Sequence, residues 1–228
     1  MDKQFTGRSV MKVKKTVFYG LMFLPLISAL IALQFLPEQI PAHYGLNNQV
    51  TRWGSKYSSL IVRIVTAMVG CFFQGIAKGD AKHEENGNNN ENVCIVAGIV
   101  TLIIFNTMTG YALYTSFNKI ENLSSDKFDV NQLLFGILGI AMIIIGNIMP
   151  KLRMNAVTGL KTKWSMKNEA TWKKRQRFGG ISYIIGGIAI VVICFFVQGI
   201  YCFLSALGVI AILLVIDVFY IYKIAQIC

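Results

Sequence analysis

Charged side chains are scarce in this chain. Asp, Glu, Lys and Arg make up 14% of the 228 residues against 54% apolar, and mean hydropathy is +0.55. That is too little charge to cover a soluble globule of this length. Histidine is scarcer still. His43 and His83 are predicted on opposite sides of a membrane, which argues against a histidine-based zinc site. The five cysteines (Cys71, Cys94, Cys194, Cys202, Cys228) form no C-x-x-C pair. They lie in or beside apolar runs and read as small hydrophobes, not as a disulfide or metal framework. Ser, His and acid never meet at one depth, and there is no phosphate-binding loop. The chain is therefore expected to be no enzyme and to need no cofactor.

Six long apolar runs are present instead, at 16–36, 58–77, 93–117, 131–150, 178–198 and 200–222. At about 1.5 Å rise per residue, roughly 20 residues cross the ~30 Å hydrocarbon layer. The expected fold is all-α: one polytopic membrane domain over 1–228 with six transmembrane helices. The first run follows Lys12, Lys14 and Lys15 but is too long for a signal-peptide core and has no convincing A-x-A cleavage site, so it reads as a retained anchor.

The net charge of +11 raises the question of a nucleic-acid partner, and the positions of the 22 Lys and Arg answer it. Five precede the first run, two follow the second, nine lie in 151–177, and Lys223 follows the last. The opposite side holds only Arg52, Lys56, Lys119 and Lys127, while Arg63 lies inside the second run. This is the positive-inside signature, and it predicts both termini in the cytoplasm, with no direct nucleic-acid role.

The predicted outer loop 37–57 is dense in special residues. Pro37 and Pro41 should end the first helix near Leu36. Asn47-Asn48 suggests a tight turn, and Tyr44, Trp53 and Tyr57 suit the headgroup level. A short interfacial hairpin that merely connects two helices is the simpler reading, yet the density of unusual residues favours a recognition surface built from Pro37, Pro41, His43, Arg52, Trp53 and Lys56. The predicted inner loop 151–177 carries nine basic residues and one acid, Glu169. Each Lys or Arg near an anionic leaflet contributes about 1 kcal/mol, so this segment is expected against the headgroups, with Trp164, Trp172 and Phe178 as apolar anchors. The linker 78–92, with Asn86-Gly87-Asn88-Asn89-Asn90, reads as a loose loop.

Around the inner loop the order of residues becomes specific. Gly146-Asn147-Ile148-Met149-Pro150-Lys151-Leu152-Arg153-Met154-Asn155, then Gly159-Leu160-Lys161-Thr162-Lys163-Trp164, then Trp172, resembles the SdpI-like immunity family of bacterial membrane proteins. Its pattern runs G-N-x-x-P-K-x-x-x-N, G-I-R-T-x-W and a later tryptophan. Leu36-Pro37, Ile40-Pro41, His43 and Gly54-Ser55-Lys56 resemble the family's L-P-x-x-I-P-x-H and its following S-K. The resemblance covers most of the chain. Departures are Lys161 and Lys163 where the family has Arg and Pro, Arg175-Gln176 where it has Thr-His, and Asn48 at a turn position that is commonly Gly. Lys keeps the charge of Arg but loses its planar fork.

The resemblance implies a membrane immunity protein that protects against a secreted, membrane-active peptide toxin, with signalling to a cytoplasmic repressor in some members. It also implies that Asn147, Pro150, Lys151, Asn155, Gly159, Lys161, Thr162, Trp164 and Trp172 contact an inner partner or lipid. The alternative from another class is a small transporter or flippase.

Polar residues inside the runs are weighed separately. Arg63 is about 8 Å deep by helical rise and is expected to snorkel outward. Asp217 lies where a cytoplasmic Lys or Arg can pair with it. Asn106 must find an interhelical partner. Ser182 with Gly186, and Gly136 with Gly139, read as close-packing surfaces. The two halves also share the layout of an inverted repeat, with little support from residue identities.

Overall fold

A computed structural model describes residues 2–45, 47–83, 88–125, 129–154 and 158–227. The order is α1 (Asp2–Ala32), β1 (Gln39–Tyr44), β2 (Val50–Ser55), α2 (Ser59–His83), α3 (Asn88–Phe117), α4 (Val130–Ile148), α5 (Glu169–Phe196) and α6 (Gly199–Ile227). All six helices are long and apolar enough to cross a membrane. Large apolar side chains such as Leu24, Ile31, Phe72, Ile185, Phe196 and Phe219 are exposed along them. A soluble protein would bury such a surface; hydrocarbon is its natural solvent. The chain is a multi-pass membrane protein.

Helices α1, α2 and α3 pack on one another, as do α4, α5 and α6, and the two groups meet mainly through α3 with α4. In the first group Phe18, Met22 and Leu102 form the core; in the second, Met142, Ile190, Cys194, Cys202 and Ala206 do. The tightest seam lies between α4 and α5. Gly139 faces Gly187 and Gly146 faces Gly180, seven residues apart on each antiparallel helix. A Cβ at Gly139 would lie 2.8 Å from the Gly187 carbonyl oxygen, and one at Gly146 would lie 2.5 Å from that of Gly180. Backbones approach this closely only where side chains are missing, as is usual for helices packed in lipid. Gly136 has nothing within 4 Å of such a Cβ, so of the expected Gly136–Gly139 surface only Gly139 packs closely.

The loop 37–57 is largely an antiparallel hairpin, β1 with β2, with the expected turn at Asn47-Asn48. Three expectations change. The basic segment 151–177 is not all loop, because Asn168 caps α5 by accepting from Thr171 N at 2.8 Å and the helix begins at Glu169. The linker 78–92 is mostly helical: its described residues belong to α2 and α3, and α3 is tied to α1 by Lys15–Glu91 at 2.6 Å and Lys14–Asn92 at 2.7 Å. These helices extend past their apolar runs because side-chain partners on a neighbour support polar turns that hydropathy alone assigns to loop. Finally, Arg63 is 2% exposed and does not snorkel. It donates to Ser59 O on its own helix and to Thr109 O of α3 at 3.1 Å, so carbonyls inside the bundle replace the headgroups. Asn106 meets its expected partner across helices, donating to Leu21 O of α1 at 2.9 Å.

Candidate functional site

The polar sequence gathers at the two ends of the bundle. At one end the hairpin is held from beneath and beside. Ile40 is buried with Ala32, Leu36 and Leu113. Tyr44 donates through its hydroxyl to Ile120 O at 2.7 Å, Val50 N donates to Glu121 O at 2.9 Å, and Leu123 N donates to Asn48 O at 2.8 Å. Asn48 takes φ +61°, the left-handed turn that its short amide tolerates. The hairpin is thus fastened along the 120–124 segment and is no free connector.

Strand register brings four of the expected residues together as two cross-strand pairs. Pro41 pairs with Trp53 and His43 with Arg52, with irregular register on either side of His43. His43, Arg52 and Trp53 are exposed, Trp53 at 42%. His43 Nδ1 lies 2.7 Å from Thr51 Oγ1, which orients the ring. Lys56 is set apart from this cluster, bonded to Glu38 at 2.8 Å beside the half-buried Pro37. Next to the hairpin lies a polar cavity of about 420 Å³ lined by Asn48, Ser124, Asp129, Gln132, Gln198 and Tyr201. Asp129 organises its floor, capping α4 through Asn131 N and Gln132 N while accepting from Gly199 N of α6 at 2.5 Å.

At the other end the second motif is a folded clamp. Gly159 adopts φ +96°, and a Cβ there would meet the Trp172 ring at 2.9 Å, so both conformation and space demand glycine. Leu160 N donates to Gln176 Oε1 at 3.2 Å, and Gln176 Nε2 returns a bond to Leu160 O at 3.1 Å. Thr162 and Ser165 exchange backbone-to-hydroxyl bonds of 2.8 and 3.0 Å. Trp172, 1% exposed, donates Nε1–H to Leu152 O at 3.0 Å and packs with Val93 and Leu152. It is an internal post of the loop, not an anchor in the headgroups. Trp164 is 41% exposed, with its ring edge-on to Tyr222 at 5.5 Å, and Phe178 stacks on Tyr220.

Asn147, Pro150, Lys151, Lys161 and Lys163 are exposed around this clamp, and Thr162 is half-buried within it. Asn155 lies outside the described residues. Helix α5 carries Arg175 inward, where it forms an ion pair with Asp217 of α6 at 3.3 Å, both groups nearly inaccessible. Arg175 Nε and Asp217 Oδ1 have no hydrogen-bond partner within the protein. The pairing of Asp217 with a basic residue was legible in sequence; its burial was not. Asn90 is a residue the sequence reading missed. It is fully buried, accepts from Arg153 N at 3.1 Å and donates to Arg153 O at 3.4 Å, closing the loop onto α3. Its place in an Asn-rich run concealed it. Among the described residues no group of three His, Cys, Asp or Glu could hold a metal.

Comparison with known proteins bears on both ends of the bundle. Residues 151–221 match the SdpI/YfhL protein family, and residues 20–67 match a domain of unknown function, DUF1648. The chain is 26% identical over 185 residues to the immunity protein SdpI of Bacillus subtilis (strain 168), covering 80% of this chain and 82% of that one. No solved structure matches. With the family match falling on the clamp and α5–α6, and the similarity running across most of both chains, this chain is SdpI-like, similar to the SdpI/YfhL family in its C-terminal part and to the immunity protein SdpI over most of its length.

Proposed function

We propose that this chain is a membrane immunity protein that protects its cell from a membrane-active peptide toxin, which it meets through the hairpin. The observation that carries the reading is similarity to an immunity protein over 80% of the chain, joined to a braced hairpin on which Pro41 is half-buried and His43, Arg52 and Trp53 are exposed. A flat connector needs no such bracing, whereas recognition benefits from a surface whose ordering cost is met before binding. The bias of Lys and Arg supports both termini and the clamp in the cytoplasm and the hairpin outside. In that orientation the exposed lysines of the clamp would engage anionic lipid or a cytoplasmic repressor, while the hairpin faces a secreted peptide.

The test is survival. A strain lacking the gene, challenged with peptide-containing medium that the parent resists, should be rescued by the parental gene and by Asn88→Ala, but not by His43→Ala or Trp53→Ala expressed to the same level. Equal rescue by all of them would remove the hairpin from the mechanism. No loss of resistance on deletion would remove the immunity reading. A second reading, a small transporter or flippase, is favoured by one observation: a cavity of about 260 Å³ among α3 to α6, lined by Thr101, Tyr183 and Asp217 among apolar side chains. Saturable, gene-dependent movement of a solute or lipid would support that reading.

A further inference from the structure

Two of the five cysteines meet at the corner where α5 turns into α6. Helix α5 ends at Phe196, Val197 is extended, and Gly199 takes φ +60° to start α6. This two-residue connection brings Cys194 and Cys202 side by side, Sγ to Sγ at 3.3 Å, both as free thiols. Their surroundings are fixed: Gln132 of α4 donates to Cys194 O at 2.8 Å, and Asp129 holds Gly199 N. Burial differs between the two. Cys202 is fully buried, while Cys194 is 8% exposed and lines a cavity of about 530 Å³ with Asp129, Gln132, Gly136, Phe195 and Gln198.

We propose that Cys194 and Cys202 are a modification site, a dithiol that a low-molecular-weight disulfide converts to an intrachain disulfide across the α5–α6 corner. The cavity admits the oxidant to Cys194. The Cys194 thiol loses its proton and its sulfur attacks one sulfur of the small disulfide, forming a mixed disulfide and expelling one thiolate. Cys202 then loses its proton, attacks the Cys194 sulfur and expels the second thiolate. Two protein S–H bonds break and one S–S bond forms, while the oxidant is reduced to two thiols. The sulfurs need to approach by about 1.3 Å to reach bonding distance, a small side-chain movement for residues at helix ends. Proximity makes the second step intramolecular and favours it over release of the adduct. The bond would tie together the ends of α5 and α6 beside the polar cavity near the hairpin, a property independent of the immunity reading.

The experiment uses the full chain in detergent micelles with Cys71→Ser, Cys94→Ala and Cys228→Ser, treated with oxidised glutathione, acid-quenched, denatured and alkylated with a maleimide. The expected result is a chain without reactive thiols, lighter by two hydrogen atoms, restored by dithiothreitol. With Cys202→Ser added, one glutathione should remain attached at Cys194. A parallel treatment of the unaltered chain in native membranes guards against misfolding of the triple variant: the two-hydrogen loss should appear there and disappear in Cys194→Ser/Cys202→Ser. Two reactive thiols after treatment, a stable glutathione adduct with Cys202 still alkylated, or disulfide-linked dimers would each overturn the proposal.

Discussion

Gly139 and Gly136 stand three residues apart on α4, and adding one methyl to each should have very different effects. At Gly139 the new Cβ would sit 2.8 Å from the Gly187 carbonyl oxygen, 2.8 Å from Val191 Cγ2 and 3.2 Å from Val191 N. Val191 can rotate its methyl aside, but the carbonyl and the amide belong to the α5 backbone and move only with the helix. Relief therefore requires α4 and α5 to part, which weakens packing along the seam as far as Gly146 and Gly180. Overpacking of this kind typically costs about 1–3 kcal/mol, and a backbone obstacle places Gly139→Ala toward the upper end. At Gly136 the Cβ meets nothing within 4 Å. In water Gly→Ala in a helix would add roughly 0.5–1 kcal/mol, but in a micelle the separated helix is already formed, so the gain should be smaller. Thermal unfolding in detergent, followed by exposure of buried cysteine to a thiol-reactive dye, should show a clear loss of stability for Gly139→Ala and none for Gly136→Ala. Equal shifts in the two variants would refute the claim that backbone contact, and not general helix propensity, holds α4 to α5.

Removing one member of the buried Arg175–Asp217 pair should destabilise the bundle by about 3–5 kcal/mol, because a lone charge is left among apolar helices, while Arg175→Met with Asp217→Leu should recover most of that loss; a double variant no better than the singles would refute the pairing argument. Replacing the exposed Lys161, Lys163, Lys173 and Lys174 with Gln should weaken binding to anionic liposomes, each charge being worth about 1 kcal/mol near the leaflet; unchanged binding would reduce the clamp's charge to a topology signal. Arg175 is left out of that set because it faces Asp217 and not the surface. An impermeant thiol label should reach a cysteine placed at Asn47 in intact cells and miss one placed at Asn168, and the reverse pattern would invert the proposed orientation.

Length and hydropathy were enough to reveal six spanning helices, since the cost of unpaired backbone groups in hydrocarbon allows an apolar run of this length little but helix. The family was legible from two ordered motifs, because glycine, proline and tryptophan at fixed spacing mark backbone and packing requirements that few sequences share. Helix ends were not legible at 2–15, 78–92 and 169–177. There, polar turns are supported by side chains from elsewhere, such as Glu91 on Lys15, and by the Asn168 cap. A hairpin was legible from the turn at Asn47-Asn48, but its bracing was not, because it is fastened to residues 120–124, some seventy positions away in the chain.

The same division holds within the site. His43, Arg52 and Trp53 could be picked out as unusual residues in a loop, but which residues they pair with across the strands depends on register. Trp172 could be recognised as part of a motif, yet the sequence could not say whether the ring faces lipid or Leu152 O; α5 beginning at Glu169 turned it inward. Arg63, Arg175 and Asn90 show the general point. Composition predicts whether a polar group can be tolerated in a membrane, whereas the identity of the carbonyl, carboxylate or amide that satisfies it depends on which helix lies alongside.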